Sequence, residues 1–182
     1  LEEHGLPWPC DLYIEGADQY RGWFQSSLLT AVATRGGSPY KNCCSCGWVV
    51  DGEGRKMSKS LKNGTAPEKI IEQYGADILR LWVASSDYHS DIRISFEYLK
   101  QLSDGYRKIR NTARYILGNL GDFDPDAHRV AFEELHDIDK WAVASCQQLI
   151  KEVRKAYEDF EFHNIYHAIH NFCSVDMSSF YL

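Results

Sequence analysis

From Ser95 to Leu182 the chain carries helical periodicity with no strand pattern, whereas the residues before it alternate strand-like and helix-like runs. A chain patterned this way cannot close into one uniform architecture. It is expected to be α/β over residues 1–94 and all-α over residues 95–182, with the composition changing near Asp91.

In the first region, "DLYIEG" from Asp11 alternates polar and apolar side chains and ends at Gly16, the mark of a half-buried strand entering a turn. "DQYRGWFQSSLLTAV" then sets Tyr20, Phe24, Leu28 and Ala31 near helical period, with Asp18 placed to cap the helix and "TRGGSP" to stop it. "GWVVDGEG" reads as a short buried strand turning at Asp51-Gly52. "APEKIIEQYGADILRLWVASS" reads as one further helix with Pro67 in its first turn. In the second region long helical patterns are broken by "GDFDPDAH", where Gly121 is expected to end a helix, and antiparallel helix packing is expected.

With 182 residues, 44% hydrophobic and 25% charged, the chain can bury a core. No run reaches the roughly 20 apolar residues of a membrane span. "LEEHGLPWPC" has neither the charged nor the apolar region of a secretory signal, so a cytoplasmic protein without a membrane partner is expected. The chain begins at Leu1 rather than Met and stops inside a helical pattern, as expected of a piece of a longer protein. Cys10, Cys146 and Cys173 stand alone and are expected as reduced thiols. Cys43 and Cys46 in "NCCSC" have the gap of a zinc knuckle, but no second pair follows at ribbon spacing, so no metal site is expected.

Two stretches carry candidate chemistry. "GRKMSKSLKNG", Gly54 to Gly64, concentrates Arg55, Lys56, Lys59 and Lys62 in a chain of net charge -6. Mobile ammonium groups suit a polyphosphate, and Ser58 and Ser60 add hydroxyl donors. The G-x-x-x-x-G-K-[ST] spacing of a P-loop is absent, and a solvated basic turn is the ordinary alternative. The other stretch is "YIEGADQYRGWF", with a carboxylate at a strand end, a glycine, then an acid and an amide at a helix start. This is a common way to hold an ammonium group and a ribose beyond the carboxyl ends of parallel strands. Glu15 would take the amine, Asp18 and Gln19 the ribose hydroxyls, and Trp23 would wall an apolar pocket. Singly, each also fits an ordinary role as a strand end, a helix cap or a core residue.

Together the stretches resemble the class I aminoacyl-tRNA synthetases. "KMSKS", Lys56 to Ser60, looks like the second signature of that family, and "LYIEGADQYRGWFQSSLL" is similar to its isoleucyl branch. The likeness continues through "SDGYRKIRNTARYILGNL", "DKWA", "AYEDFEFH" and "FCSVDMSSFYL", covering essentially the whole chain. The resemblance implies the second half of a Rossmann-type nucleotide-binding domain, followed by a helical stem-contact segment and the start of an anticodon-binding bundle. It implies activation of isoleucine with ATP and Mg2+, transfer to tRNA(Ile), and a monomer. By the same resemblance Lys59 binds ATP with Lys56 assisting, and Met57 and Ser58 lie at the nucleotide. Glu15 would contact the aminoacyl-adenylate, with Gly16, Asp18 and Gln19 against the ribose and Trp23 near the isoleucine side chain.

Departures from the family pattern are Cys46, where a histidine is usual, and Lys62-Asn63-Gly64 in place of a small "GN"; neither is expected to touch the two lysines. The family's first signature, its editing domain and its C-terminal zinc segment are not among these residues, so no zinc is expected and this stretch alone is expected to be inactive. Arg107, Arg110 and Arg114 recur near helical spacing and are candidate RNA contacts, with a solvated face as the alternative. His163, His167 and His170 share a helical face and are expected to pack rather than ligate. The alternative for the whole chain is a non-catalytic RNA-binding helical module with a degenerate nucleotide-binding remnant.

Overall fold

The computed structural model describes residues 4–182; the first residues of "LEEHGLPWPC" lie outside that range. Strands occur before residue 94 and only helices follow, so the α/β-then-α order holds among the described residues. The elements are β1 (Cys10–Gly16), α1 (Trp23–Arg35), β2 (Tyr40–Cys46), β3 (Val49–Val50), α2 (Pro67–Tyr74), α3 (Ala76–Ser85), β4 (Ile92–Arg93), α4 (Phe96–Gly118), α5 (Asp137–Glu158) and α6 (Phe162–Asn171). A π-helical stretch, Phe172–Tyr181, continues α6. The residues form two compact units. One runs to Gly64 and takes in Tyr88–Ile94; the other holds Thr65–Asp87 and Ser95–Leu182.

In the first unit, β1 and β2 pair in parallel with Leu12 opposite Asn42 and Gly16 opposite Cys46, and α1 is the crossover between them. Phe24 and Ala31, spaced at helical period, are the buried residues of α1, with Leu28 half-buried beside them. β2 falls on "YKNCCSC", which lacks the β-branched residues that mark a strand, and its pattern was not read from the sequence. A second parallel pair joins β3 to β4, Val49 opposite Ile92 and Val50 opposite Arg93. Here Gly47 makes room. A Cβ on it would stand 2.2 Å from the Ser90 carbonyl oxygen, while the Gly47 N–H donates to Tyr88 O at 2.8 Å.

The second unit is a helical assembly whose core includes Ile70, Ile78, Trp82, Leu99, Leu102, Ala142, Ala156, Ile165 and Met177. The expected single helix over "APEKIIEQYGADILRLWVASS" is instead two, because Gly75 adopts φ 86° and ψ 158°, a conformation open to glycine that no helix contains. α4 begins where Ser95 Oγ accepts the Tyr98 N–H at 3.2 Å, a side-chain N-cap. It ends at Gly118, before the expected Gly121. Glycine in mid-helix costs about 1 kcal/mol against alanine. At Gly105 that cost is offset by close approach to α6, since a Cβ would stand 2.6 Å from Tyr166 Oη. The Thr112 hydroxyl, buried in α4, lies 3.1 Å from the carbonyl oxygen of Cys173.

Candidate active site

The candidate residues of the first unit gather at two places, the carboxyl end of β1 and the loop that leaves β3. At the first, Glu15 and Gly16 close β1 opposite Ser45 and Cys46 of β2. Such strand ends are where open α/β sheets bind ligands. The chain passes from Gly16 into a 3-10 turn, Ala17–Arg21, and only then into α1. Asp18 therefore does not cap α1, contrary to the expectation. Gln19 does: its Oε1 accepts the Trp23 N–H at 2.9 Å, and its Nε2 donates to Asp18 Oδ2 at 3.1 Å. Asp18 Oδ1 hangs over Gly16, where a Cβ would stand 2.7 Å from it, so glycine is required for this fold-back. Trp23 is 44% exposed yet oriented, stacked on Tyr13 with ring centroids 4.3 Å apart. Glu15 is exposed, and its charge lies close enough to Cys46 to raise that thiol's pKa, behind the larger effects of burial and of Cys44.

The second place is built around a residue that sequence reasoning took only as part of a turn. Asp51, directly after β3, is almost buried, at 8% exposure. Its Oδ1 accepts the backbone N–H groups of Glu53 (3.0 Å) and Arg55 (2.8 Å). Its Oδ2 accepts Arg55 Nε (2.9 Å) and Asn63 Nδ2 (2.8 Å). Four donors on one carboxylate favour its charged form, and its pKa is held far below the usual carboxylate range. The Asn63 amide contributes most, then the Arg55 N–H; burial opposes them. A folded pKa below the unfolded one stabilises the loop above the ordinary carboxylate range and is lost only as pH falls through the depressed value. A carbon-detected NMR titration of Asp51 is thus expected to show no protonation step down to and through about pH 4, the ordinary carboxylate value; a midpoint at or above that value would contradict the arrangement.

The signature lysines are not equivalent. Lys56 Nζ rests 5.3 Å from the centroid of the exposed Trp48 indole. Lys59 is exposed, and its ammonium makes no hydrogen bond or ion pair among the described residues. Ser58 and Ser60 are turned on each other, hydroxyl to hydroxyl at 3.1 Å, and Ser58 Oγ also accepts the Leu61 N–H. Lys62 holds φ 50°, in the region that favours glycine. Asn63 corrects another expectation: its Nδ2 lies 3.3 Å from the Lys56 carbonyl oxygen, so this segment does touch a signature lysine through its backbone. Among the described residues no group of three or more His, Cys, Asp or Glu is arranged to hold a metal.

In the second unit, Arg107, Arg110 and Arg114 share a groove of about 1090 Å3 between α4 and the N-terminus of α3. Arg107 pairs with Asp104 at 3.2 Å, and the Arg110 guanidinium lies 5.8 Å from the Tyr106 ring centroid. Asp77 lies on the opposite wall, accepting from Tyr106 Oη at 3.3 Å.

A parallel β–α–β unit with acid and amide at its strand end, followed by a lysine-bearing loop and a helical region, defines a class. Residues 2–95 match the family described as tRNA synthetases class I (I, L, M and V), and residues 139–182 match the anticodon-binding domain of tRNA ligase. The chain belongs to the class I tRNA synthetase family. Within it, the chain is 63% identical to an isoleucine–tRNA ligase of Syntrophotalea carbinolica over 97% of its length, which is 19% of that relative. It is 60% identical to that of Caldanaerobacter subterraneus over 100% of its length, 20% of the relative. The chain thus spans about a fifth of the length of the curated relatives it matches. Among solved structures it resembles the leucyl-tRNA synthetase of Agrobacterium radiobacter K84, in a ternary complex with tRNA and LeuAMS, at TM-score 0.78 and 21% identity; the match covers 91% of this chain and 22% of that one. It also resembles Mycobacterium tuberculosis methionyl-tRNA synthetase in complex with methionyl-adenylate, at TM-score 0.68 and 22% identity, covering 92% and 32%. At these identities the likeness speaks for the fold.

Proposed function

We propose that this chain is part of an isoleucine–tRNA ligase: residues 1–94 form the second half of a Rossmann-type nucleotide-binding domain, and residues 95–182 the stem-contact segment and the start of the anticodon-binding bundle. The observation that carries the reading is identity near 60% to isoleucine–tRNA ligases over essentially the whole chain. In the reaction a carboxylate oxygen of isoleucine attacks the α-phosphorus of ATP, the bond to pyrophosphate breaks, and isoleucyl-adenylate forms. A terminal ribose hydroxyl of tRNA(Ile) then attacks the isoleucyl carbonyl carbon, the anhydride bond breaks, and AMP leaves. Glu15 holds the α-ammonium group, Gly16, Asp18 and Gln19 face the ribose, and Trp23, fixed on Tyr13, bounds the isoleucine side chain. Asp18 Oδ1 is the oxygen available to a ribose hydroxyl, since Oδ2 is taken by Gln19.

Negative charge grows on the departing pyrophosphate, and Lys59 meets it, with Lys56 leaving Trp48 to assist and Met57 and Ser58 lying along the nucleotide. Mg2+ comes as the companion of the ATP phosphates, the way this hard, strongly hydrated cation is usually held. Arg107, Arg110 and Arg114 give tRNA phosphates a cationic groove despite the acidic chain, since only the local field must be positive. The working protein is a cytoplasmic monomer.

In the full-length enzyme, ATP–pyrophosphate exchange is expected to depend on isoleucine, with valine weaker by about a hundredfold, the limit a missing methylene sets in an apolar pocket. Exchange driven better by another amino acid than by isoleucine, or no exchange at all, would refute the reading. The second outcome would favour the non-catalytic RNA-binding module instead.

A further inference from the structure

We infer that Asn63 and Asp51 are positioning residues: the Asn63 carboxamide, clasped to the Asp51 carboxylate, fixes the backbone from Lys56 to Ser58 and so sets the point from which Lys59 reaches the polyphosphate. The inference rests on the reading of this loop as the ATP-binding segment. Between Gly52 and Gly64 the backbone has little regular structure of its own, apart from a single antiparallel bridge between Val50 and Lys56. Side chains supply the order. Asp51 is rooted in β3, itself paired with β4, and reaches across twelve positions to Asn63 Nδ2 at 2.8 Å. Asn63 then works in both directions at once, accepting the Ser58 N–H at 3.0 Å and approaching the Lys56 carbonyl oxygen at 3.3 Å. A hydroxyl has a single proton to give, whereas the amide offers two, one toward the carboxylate and one toward the carbonyl, while its oxygen accepts a backbone N–H. Alanine would lose all three contacts. Aspartate would keep the shape and the acceptor but set two carboxylates against each other.

The charged groups around the pair are Arg55, bonded to Asp51; Glu53, paired with Arg55 at 2.9 Å; Lys56; and Arg93, whose guanidinium lies beside Gly54. With aspartate at position 63, the facing carboxylates share one proton, so one apparent pKa of the pair is raised. The protonated pair regains a donor and closes the clasp again.

The test uses the full-length enzyme with Asn63→Ala, Asn63→Asp and, as reference, Lys59→Ala. Asn63→Ala is expected to lower the kcat of isoleucine-dependent exchange by at least about tenfold, as a displaced catalytic group does, with KM for isoleucine unchanged and a fall in thermal midpoint too small to account for the loss. Amide hydrogen exchange at Ser58 accelerates in the same variant. Asn63→Asp is as impaired as alanine near pH 8, and its activity relative to the parent enzyme rises as pH falls toward about 6. Parent-like kcat in Asn63→Ala, a loss that tracks the thermal midpoint, or an Asn63→Asp profile parallel to the parent would each overturn the inference. If the parent shows no isoleucine-dependent exchange, the functional reading fails instead. The clasp is then judged by Ser58 alone, and unchanged hydrogen exchange there overturns it.

Discussion

Lys59→Ala in the full-length enzyme is expected to reduce isoleucine-dependent ATP–pyrophosphate exchange by about a hundredfold or more, the usual cost of removing one charged donor aimed at a developing anion. The expectation follows from what Lys59 does and does not touch. Its ammonium is free of partners among the described residues, so the substitution leaves no buried charge behind and opens no cavity, and the thermal midpoint should hold. A group idle in the resting protein but essential to turnover must find its partner only on the reaction path. Single-turnover measurement of adenylate formation checks this directly. Lys56→Ala should cost less, because Lys56 sits over Trp48 and gives up that contact before it can help. If both variants lose equally, Trp48 does not distinguish them. If Lys59→Ala keeps parent activity, the assigned role is wrong.

How far the sequence shows this site depends on the range of the interactions involved. The helical half was legible because apolar spacing is local: the pattern of "FEYLKQLSDGYRKIRNTARYILGNL" marks α4, and Leu99 and Leu102 fall on its buried face. The strand end at Glu15 and Gly16 was legible for the same reason. The break at Gly75 was not, since glycine inside an apolar helical pattern is compatible with either outcome until the backbone angle is known. β2 was missed because cysteine, serine and asparagine take a strand conformation only where a parallel neighbour supplies the hydrogen bonds, as β1 does. The capping of α1 by Gln19 rather than Asp18 turns on the 3-10 turn Ala17–Arg21, which delays the start of α1 to Trp23 and which the cap reading did not include. Of the loop, the cations were plain, but the order among them was not. Trp48 engaging Lys56, and Asp51 meeting Asn63, are pairings between residues too distant for any helix or strand period to reveal.

Gly47→Ala is the substitution expected to do most harm to the fold that carries the loop. The new methyl would drive into the Ser90–Asp91 peptide: the Ser90 oxygen at 2.2 Å, its carbonyl carbon at 2.4 Å and the Asp91 nitrogen at 2.8 Å. No side chain can rotate away to relieve it. The segment it would displace is tied to the same spot by Gly47 N–H to Tyr88 O (2.8 Å), Trp48 N–H to Asp91 Oδ1 (2.8 Å) and Ile92 N–H to Trp48 O (2.8 Å). Because β3 and β4 pair over only two positions, a shift of this size separates them rather than straining them. A local loss of about 3 kcal/mol is expected, at the upper end of the cost of overpacking. The amides of Ile92 and Ile94, which donate to Trp48 and Val50, should then exchange about a hundredfold faster. Gly64→Ala serves as the control, since nothing lies within 4 Å of the added methyl and those amides should keep their parent rates. Asp51 follows directly on β3, so Gly47→Ala should also lower exchange activity together with local stability, whereas Lys59→Ala lowers activity alone. Parent-like hydrogen exchange at Ile92 and Ile94 in Gly47→Ala would mean that the β3–β4 pairing does not anchor the loop.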